Sequence, residues 1–251
     1  MIEFNSAAMR FGDRDVLRDL TFSVQRGQFT ALVGPSGCGK STILNLCAGL
    51  LAPTAGAIAI DGQPLAGLNP QAGYLFQQDS LLPWKTVLEN VALPVTLRGE
   101  NGEPGAQKWL ARMGLTDFAH YYPEQLSGGM KKRASLAQCW MAGRDILLMD
   151  EPFSALDIHT RQRMEHELLA LWQEERRTVL FVTHDLEEAI SLADVVMVLS
   201  AGPGSHIVGR YEVPLARPRA VRDLRLDPRF QDLYRAIWHD LRAEVDRSHV
   251  D

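Results

Sequence analysis

In Gly34-Pro35-Ser36-Gly37-Cys38-Gly39-Lys40-Ser41-Thr42, three glycines lead to a lysine and two hydroxyl side chains in the order GxxxxGK[ST]. Glycines let backbone N–H groups turn towards one centre, and phosphate oxygens suit such a centre. A helix beginning at the end of the loop adds the positive end of its dipole. Lys40 is then placed to reach the β- and γ-phosphates of a nucleotide, and the Ser41 hydroxyl to bind Mg²⁺. A second candidate centre is Asp150-Glu151, which closes the apolar run Ile146-Leu147-Leu148-Met149. Ligands collect at the carboxyl ends of strands in open α/β sheets. Asp150 is placed to hold Mg²⁺ through water, and Glu151 to orient or deprotonate an attacking water. An apolar run ending in two acids is, taken alone, an ordinary solvated strand end. The phosphate loop gives the pair a substrate.

These groups need a scaffold, and the apolar spacing supplies one. Ile2 to Met9 and Leu20 to Val24 alternate as half-buried strands do. Phe29 to Val33 is a short apolar run feeding the glycine-rich loop, so it reads as a buried strand. From Ser41 to Leu51 the apolar residues take helical spacing, until Pro53 and Gly56 stop it. Ala57 to Ile60 runs as a strand into an Asp61-Gly62 turn. Val87 to Met113 is helical around a polar loop from Gly99 to Gly105, and a further helix starts after Leu126-Ser127-Gly128-Gly129. Apolar runs Ile146 to Met149, Val179 to Val182 and Val195 to Leu199 then alternate with helical stretches, which predicts a mainly parallel α/β sheet. Leu226 to Val245 reads as an amphipathic helix on Leu233, Ile237, Trp238 and Leu241.

The loop and the acidic pair define a P-loop nucleoside triphosphatase. Leu126-Ser127-Gly128-Gly129-Met130 narrows the class, because it resembles the LSGGQ signature of the ABC (ATP-binding cassette) ATPases and lies ahead of the Asp150-Glu151 strand end as theirs does. The resemblance extends in order over most of the chain. It implies a parallel core with an antiparallel β subdomain, a helical subdomain over about 79–142 and a C-terminal tail from about 205 to 251, all in one ATPase domain spanning 1–251. It also assigns roles. Phe11 takes the place of the aromatic that stacks on adenine, where the family more often has Tyr. Gln77 contacts Mg²⁺ and the attacking water, and links hydrolysis to the helical subdomain. Asp157, in Ser154-Ala155-Leu156-Asp157, communicates across a dimer, and His184 senses the γ-phosphate. Ser127, Gly128 and Gly129 act in trans on the nucleotide of a second copy. ATP and Mg²⁺ are the implied cofactors.

Leu81-Leu82-Pro83-Trp84 and Val87-Leu88-Glu89-Asn90-Val91, together with Gly202-Pro203-Gly204, resemble the nitrate/sulfonate/taurine importer branch. That branch also includes importers of pyrimidine thiamine precursors and of bicarbonate-like anions, so the implied cargo is such an anion or a thiamine-precursor-like molecule. Met130 stands where Gln is usual, and Gln138 where Arg is frequent. The implied partners are a second cassette, integral membrane permease subunits and, indirectly, an external solute-binding protein. The implied location is the cytoplasmic face of a bacterial inner membrane, held peripherally. An exporter motor, a cassette ATPase that moves no cargo and a P-loop kinase are the competing readings. The signature and Gln77 disfavour the kinase. The absence of long coiled coils and a net charge of −5 disfavour the DNA-linked ATPases and nucleic-acid partners. Three cysteines without CxxC spacing exclude a disulfide or zinc framework and suit a reducing compartment. No basic, then apolar, leader opens the sequence, and no long regulatory domain is expected after the tail helix. Arg217, Arg219, Arg222, Arg225 and Arg229 read as a solvated face. Trp84 fits either an interface anchor or core packing.

Overall fold

A computed structural model describes residues 1–154, 156–219 and 224–248. Four strands that are apolar at nearly every position, β3 (Phe29–Val33), β7 (Ile146–Asp150), β8 (Thr178–Val182) and β9 (Val195–Leu199), are buried along their whole length. Thr30 within β3, and Asp150 and Thr178 at strand ends, are the polar exceptions. Side chains on successive positions point to opposite faces, so continuous apolarity means both faces are covered. Phe29, Ala31 and Val33 face one apolar cluster and Leu32 the other; Val179 and Phe181 separate from Leu180 and Val182 in the same way. The sheet order is β10-β9-β3-β8-β7-β6, with β6 (Ala72–Leu75) parallel at one edge and β10 (Ile207–Glu212) antiparallel at the other. A second sheet, β2-β1-β4-β5, is antiparallel throughout: β1 (Ile2–Phe11), β2 (Arg14–Val24), β4 (Ala55–Ile60) and β5 (Gln63–Pro64). Its apolar face covers the core sheet from one side together with α1 (Lys40–Cys47). The expected fold class is therefore the observed one.

Helix α1 starts one residue before the expected Ser41 and ends at Cys47, short of Leu51. Gly49, at φ 71°, turns the chain there, and a side chain on it would run into the carbonyl of Gly67. The opposite face of the core sheet carries α2 (Val87–Thr96), α3 (Glu103–Arg112), α4 (Gly128–Met141), α5 (Ile158–Glu175), α6 (Leu186–Leu192) and the tail helix α7 (Pro228–Ser248).

Helix α2 contains Pro94, which has no N–H for the carbonyl of Asn90. Gln138 of α4 supplies the donor instead, its Nε2 lying 2.8 Å from that carbonyl. Gln138 thereby repairs a gap opened by a proline in the neighbouring helix. The fully buried Asn90 side chain works in the other direction. It accepts from the N–H of Leu82 and donates to the carbonyls of Leu82, Lys85 and Thr86, at 2.7–3.1 Å. The loop that carries Trp84 is therefore pinned from below, and Trp84 itself is 71% exposed. The core-packing reading of Trp84 is overturned.

Two expectations for the tail need correction. Phe230, Ile237 and Leu241 are buried in α7, but Trp238 is not; it stacks on Tyr234 at the surface. The arginine cluster is not a solvated face. Arg219 is 4% exposed and donates to five carbonyls, those of Ile190, Ser191, Ala193, Val213 and Leu215. Arg217 pairs with Asp194 at 2.8 Å and lies over the ring of Trp172. Arg225 and Arg229 do stay at the surface, paired with Glu187 and Asp227, while Arg222 lies outside the described residues. Charge spacing alone cannot distinguish a guanidinium in water from one capping a ring of carbonyls. Among the described residues, no helix is long and apolar enough to cross a membrane.

Candidate active site

The Gly34–Thr42 loop leaves the end of the central strand β3 and runs into α1. Gly39, at φ 96°, forms the N-cap of α1, and a Cβ there would lie 2.9 Å from side-chain atoms of both Val16 and Leu17. Only glycine meets the left-handed backbone and the close approach of β2 together. Among the described residues, the backbone N–H groups of Ser36, Gly37, Gly39, Ser41 and Thr42 find no backbone acceptor. Buried or convergent donors without partners are uncommon in native folds. This cradle is complementary to the oxygens of a polyphosphate. Lys40, 7% exposed, folds back over the loop and donates to the carbonyls of Gly34 and Pro35, each at 2.8 Å. Cys38 is buried beneath it, and burial pushes its thiol up.

Asp150 is the last residue of β7 and is also 7% exposed. Burial pushes its carboxyl up and Glu151 adds to the shift, while the Ser41 hydroxyl and the ammonium groups of Lys40 and Lys132 oppose it. A carboxylate held in this state beside a hydroxyl favours a hard cation with oxygen ligands. The residues present therefore fit Mg²⁺.

Glu151 sits at φ 42°, a conformation costly for a residue with a Cβ. Its N–H donates to the carbonyl of Val182 at 2.9 Å, which fixes the reversal of the chain as it leaves the sheet. The carboxylate then receives two neighbours on one oxygen. Gln77 Nε2 donates to Oε2 at 3.3 Å, and His184 Nδ1 lies 3.1 Å from the same atom. Gln77 follows β6, Glu151 follows β7 and His184 follows β8, so the three come from adjacent parallel strands. The sheet order brings together residues 107 positions apart. Phe11 ends β1 with its ring 48% exposed, in the sheet whose β2 packs against Gly39.

Ser127, Gly128 and Gly129 do not join this group. Ser127 caps α4, its Oγ accepting from the N–H of Met130 at 3.3 Å. The turn lines a cleft of about 400 Å³ with Asp157 and Thr160, and no residue of the phosphate loop borders that cleft. Asp157 caps α5, accepting from the N–H groups of His159 and Thr160. Ala155, in the same loop, lies outside the described residues.

Lys132 escapes notice in the sequence because it stands in a run of three basic residues. Its ammonium donates to the carbonyls of Phe76 and Gln77 at 3.1 and 2.5 Å. The signal was helical phase: four and eight residues on lie Leu136 and Trp140, both buried in α4. Beyond His184, Thr183 donates to the buried Glu188 at 2.6 Å, and Arg161 of α5 reaches both Asp185 and Glu188.

A phosphate cradle at a strand–helix junction and a pair of carboxylates at the end of β7 in the same sheet define a P-loop nucleoside triphosphatase. The family model for ABC transporters matches residues 17–154. Among curated proteins, the chain is 43% identical over 243 residues to a Brucella abortus protein named as ATP-binding, covering 95% of this chain and 92% of that one. It is 41% identical to the nitrate import ATP-binding protein NrtD of Synechococcus elongatus, covering 89% and 86%. To the taurine import ATP-binding protein TauB of Yersinia pestis it is 38% identical, covering 92% of each. A dimeric, post-hydrolysis structure of the ATP-binding cassette MJ0796 with ADP and Pi superposes with a TM-score of 0.76 at 29% identity, over 86% of this chain and all of that one. The chain belongs to the ABC transporter ATP-binding family and is an ATPase.

Proposed function

We propose that this ATPase is the motor of an importer for a small solute of the nitrate, sulfonate or taurine kind, and that it works as a dimer whose two copies complete each other's sites. The observation that carries the dimer is the separation of the site into two parts: the phosphate loop and Glu151 on one side, the Ser127–Gly129 cleft on another, with no shared lining. The names of the relatives in Synechococcus and Yersinia support import and this class of cargo.

In this reading the loop donors and Lys40 bind the β- and γ-phosphates, and Phe11 stacks on adenine. Ser41, Gln77 and, through water, Asp150 hold Mg²⁺, which supplies charge neutralisation at the phosphates. Phosphoryl transfer passes through a loose transition state, so positioning and charge complementarity do most of the work. Glu151 Oε2 is held by Gln77 and His184, which leaves Oε1 to accept a proton from the attacking water. His184 meets the γ-phosphate, and Ser127 with Gly129 of the second copy closes it from the far side, where the α4 dipole presents its positive end. Asp157, beside that turn, carries the state of one site to the other.

In this reading the membrane partner docks on exposed aromatic side chains near the Gln77 loop. Phe76, Trp84, Tyr121 and Tyr122 are each more than 40% exposed, and the first adjoins Gln77. Trp84 sits on the loop pinned by Asn90, so it is presented without a large ordering cost on binding. The test is Trp84→Glu. The purified chain should hydrolyse ATP within twofold of the unaltered protein, while recovery of the co-expressed polytopic membrane subunit falls at least tenfold. Undiminished recovery would remove Trp84 from the interface, and copurification of no membrane subunit by the unaltered chain would remove the transporter reading.

A further inference from the structure

We infer that Lys132 is a positioning residue for hydrolysis: through the carbonyls of Phe76 and Gln77 it holds the Gln77 side chain against Glu151, and so ties the water-orienting carboxylate to the attitude of helix α4. This rests on the roles given above to Gln77 and Glu151.

The geometry makes one continuous chain of contacts. Ser127 caps α4; Lys132 lies little more than a turn further on; its ammonium, 6% exposed, holds the carbonyl of Gln77 at 2.5 Å; and Gln77 Nε2 reaches Glu151 Oε2 at 3.3 Å. Burying an ammonium costs free energy unless oxygen partners surround it. The partners here are two loop carbonyls and, at 3.9 Å, the carboxylate of Asp79. Among the described residues, no other hydrogen bond reaches a carbonyl of residues 76–80. Apart from the stacking of Phe76 on Tyr74 of β6, the segment is therefore held by α4. Burial holds the Lys132 ammonium below the ordinary lysine range, with the carboxylates of Asp79 and Asp150 opposing the shift. A rotation of α4 carries the Lys132 ammonium with it, and the carbonyl of Gln77 must follow or lose its donor. The cap that contacts the second copy's nucleotide and the carboxylate that orients water in its own copy are joined through one side chain.

A structural role predicts a different result from a positioning role, and a double-mutant cycle separates them. Lys132→Met keeps the apolar stem and removes the donors. The expected result is a fall in kcat of roughly tenfold that clearly exceeds any change in KM for ATP, since Lys132 lies outside the phosphate loop and acts through Gln77 on Glu151. Gln77→Ala should lower kcat at least as far, and the double variant should be no slower than Gln77→Ala alone. Additive losses, an unchanged kcat in Lys132→Met, or a parallel rise in KM would overturn the inference. Should Lys132→Met fail to fold, Lys132→Leu, which likewise lacks a donor, takes its place in the same cycle with the same criteria. The unaltered chain and Glu151→Gln are measured alongside. If Glu151→Gln turns over normally, the assignment of the site is at fault; if it is inactive and the cycle is additive, only the role of Lys132 is.

Discussion

Glu151 is held by its neighbours at both ends: a backbone bent into a left-handed conformation, and a carboxylate shared between Gln77 and His184. Strain of this kind persists only where the surroundings over-determine it. Beside Asp185 and Glu188 lies a second acidic group of different character. Glu165 of α5 is raised to about 7 by burial first and then by Glu188 and Asp185, with Arg161 and Arg225 opposing. Its ordinary value is 4.5. Between those values the native state keeps a proton that the unfolded chain has lost. The stabilisation is therefore complete below about pH 4.5 and disappears as the pH rises through about 7. Glu165→Gln removes the titration and leaves the shape. Its melting temperature should match that of the unaltered protein at pH 5 and exceed it at pH 8, by about 2–4 °C for each kcal/mol recovered. Equal melting temperatures at both pH values would show that Glu165 titrates normally.

At the level of elements, α2 and α4 behave as one unit because each completes the other's hydrogen bonding. Gln138→Leu should strand the carbonyl of Asn90 and cost about 1–3 kcal/mol, read as a lower denaturation midpoint. Adding Pro94→Ala restores an N–H to the helix and should recover most of the loss. Failure of the second change to rescue the first would mean that the carbonyl finds another donor. These contacts also show what the sequence made legible. The phosphate loop, Asp150-Glu151 and the four fully buried strands follow from short-range pattern, because apolar continuity and glycine placement are local. Gln77 and His184 came only through resemblance, since a lone Gln or His has no spacing to betray it. Lys132, Gln138 and Arg219 were misread or passed over because their partners are backbone carbonyls of distant segments, and carbonyls leave no mark in a sequence. Strand β6 was missed for its length, four residues including a glycine, and β10 because its alternation is weak.

For the whole molecule, two half-sites on one chain impose a rule on the dimer proposed above. A dimer of Lys40→Ala chains has no working phosphate loop, and a dimer of Ser127→Arg chains has no working signature. Mixed in equal amounts, they form a heterodimer with one site doubly damaged and one intact. Isologous pairing at random then returns about a quarter of the unaltered activity, half the dimers each holding half their sites. Mixtures that stay as inactive as their components would argue that each chain acts alone. The Arg219 clamp has a consequence in time as well as space. Three of its five carbonyls belong to residues 190–193, at the end of the helix that begins just after His184. During synthesis, that helix emerges from the ribosome well before the guanidinium that will secure it. Strand β3, which carries the phosphate loop, pairs with β8 and β9, so the cradle itself waits for residues 178–199 and the support behind the histidine comes later still. A proteolytic nick between 199 and 219 in the finished protein would undo the last step first.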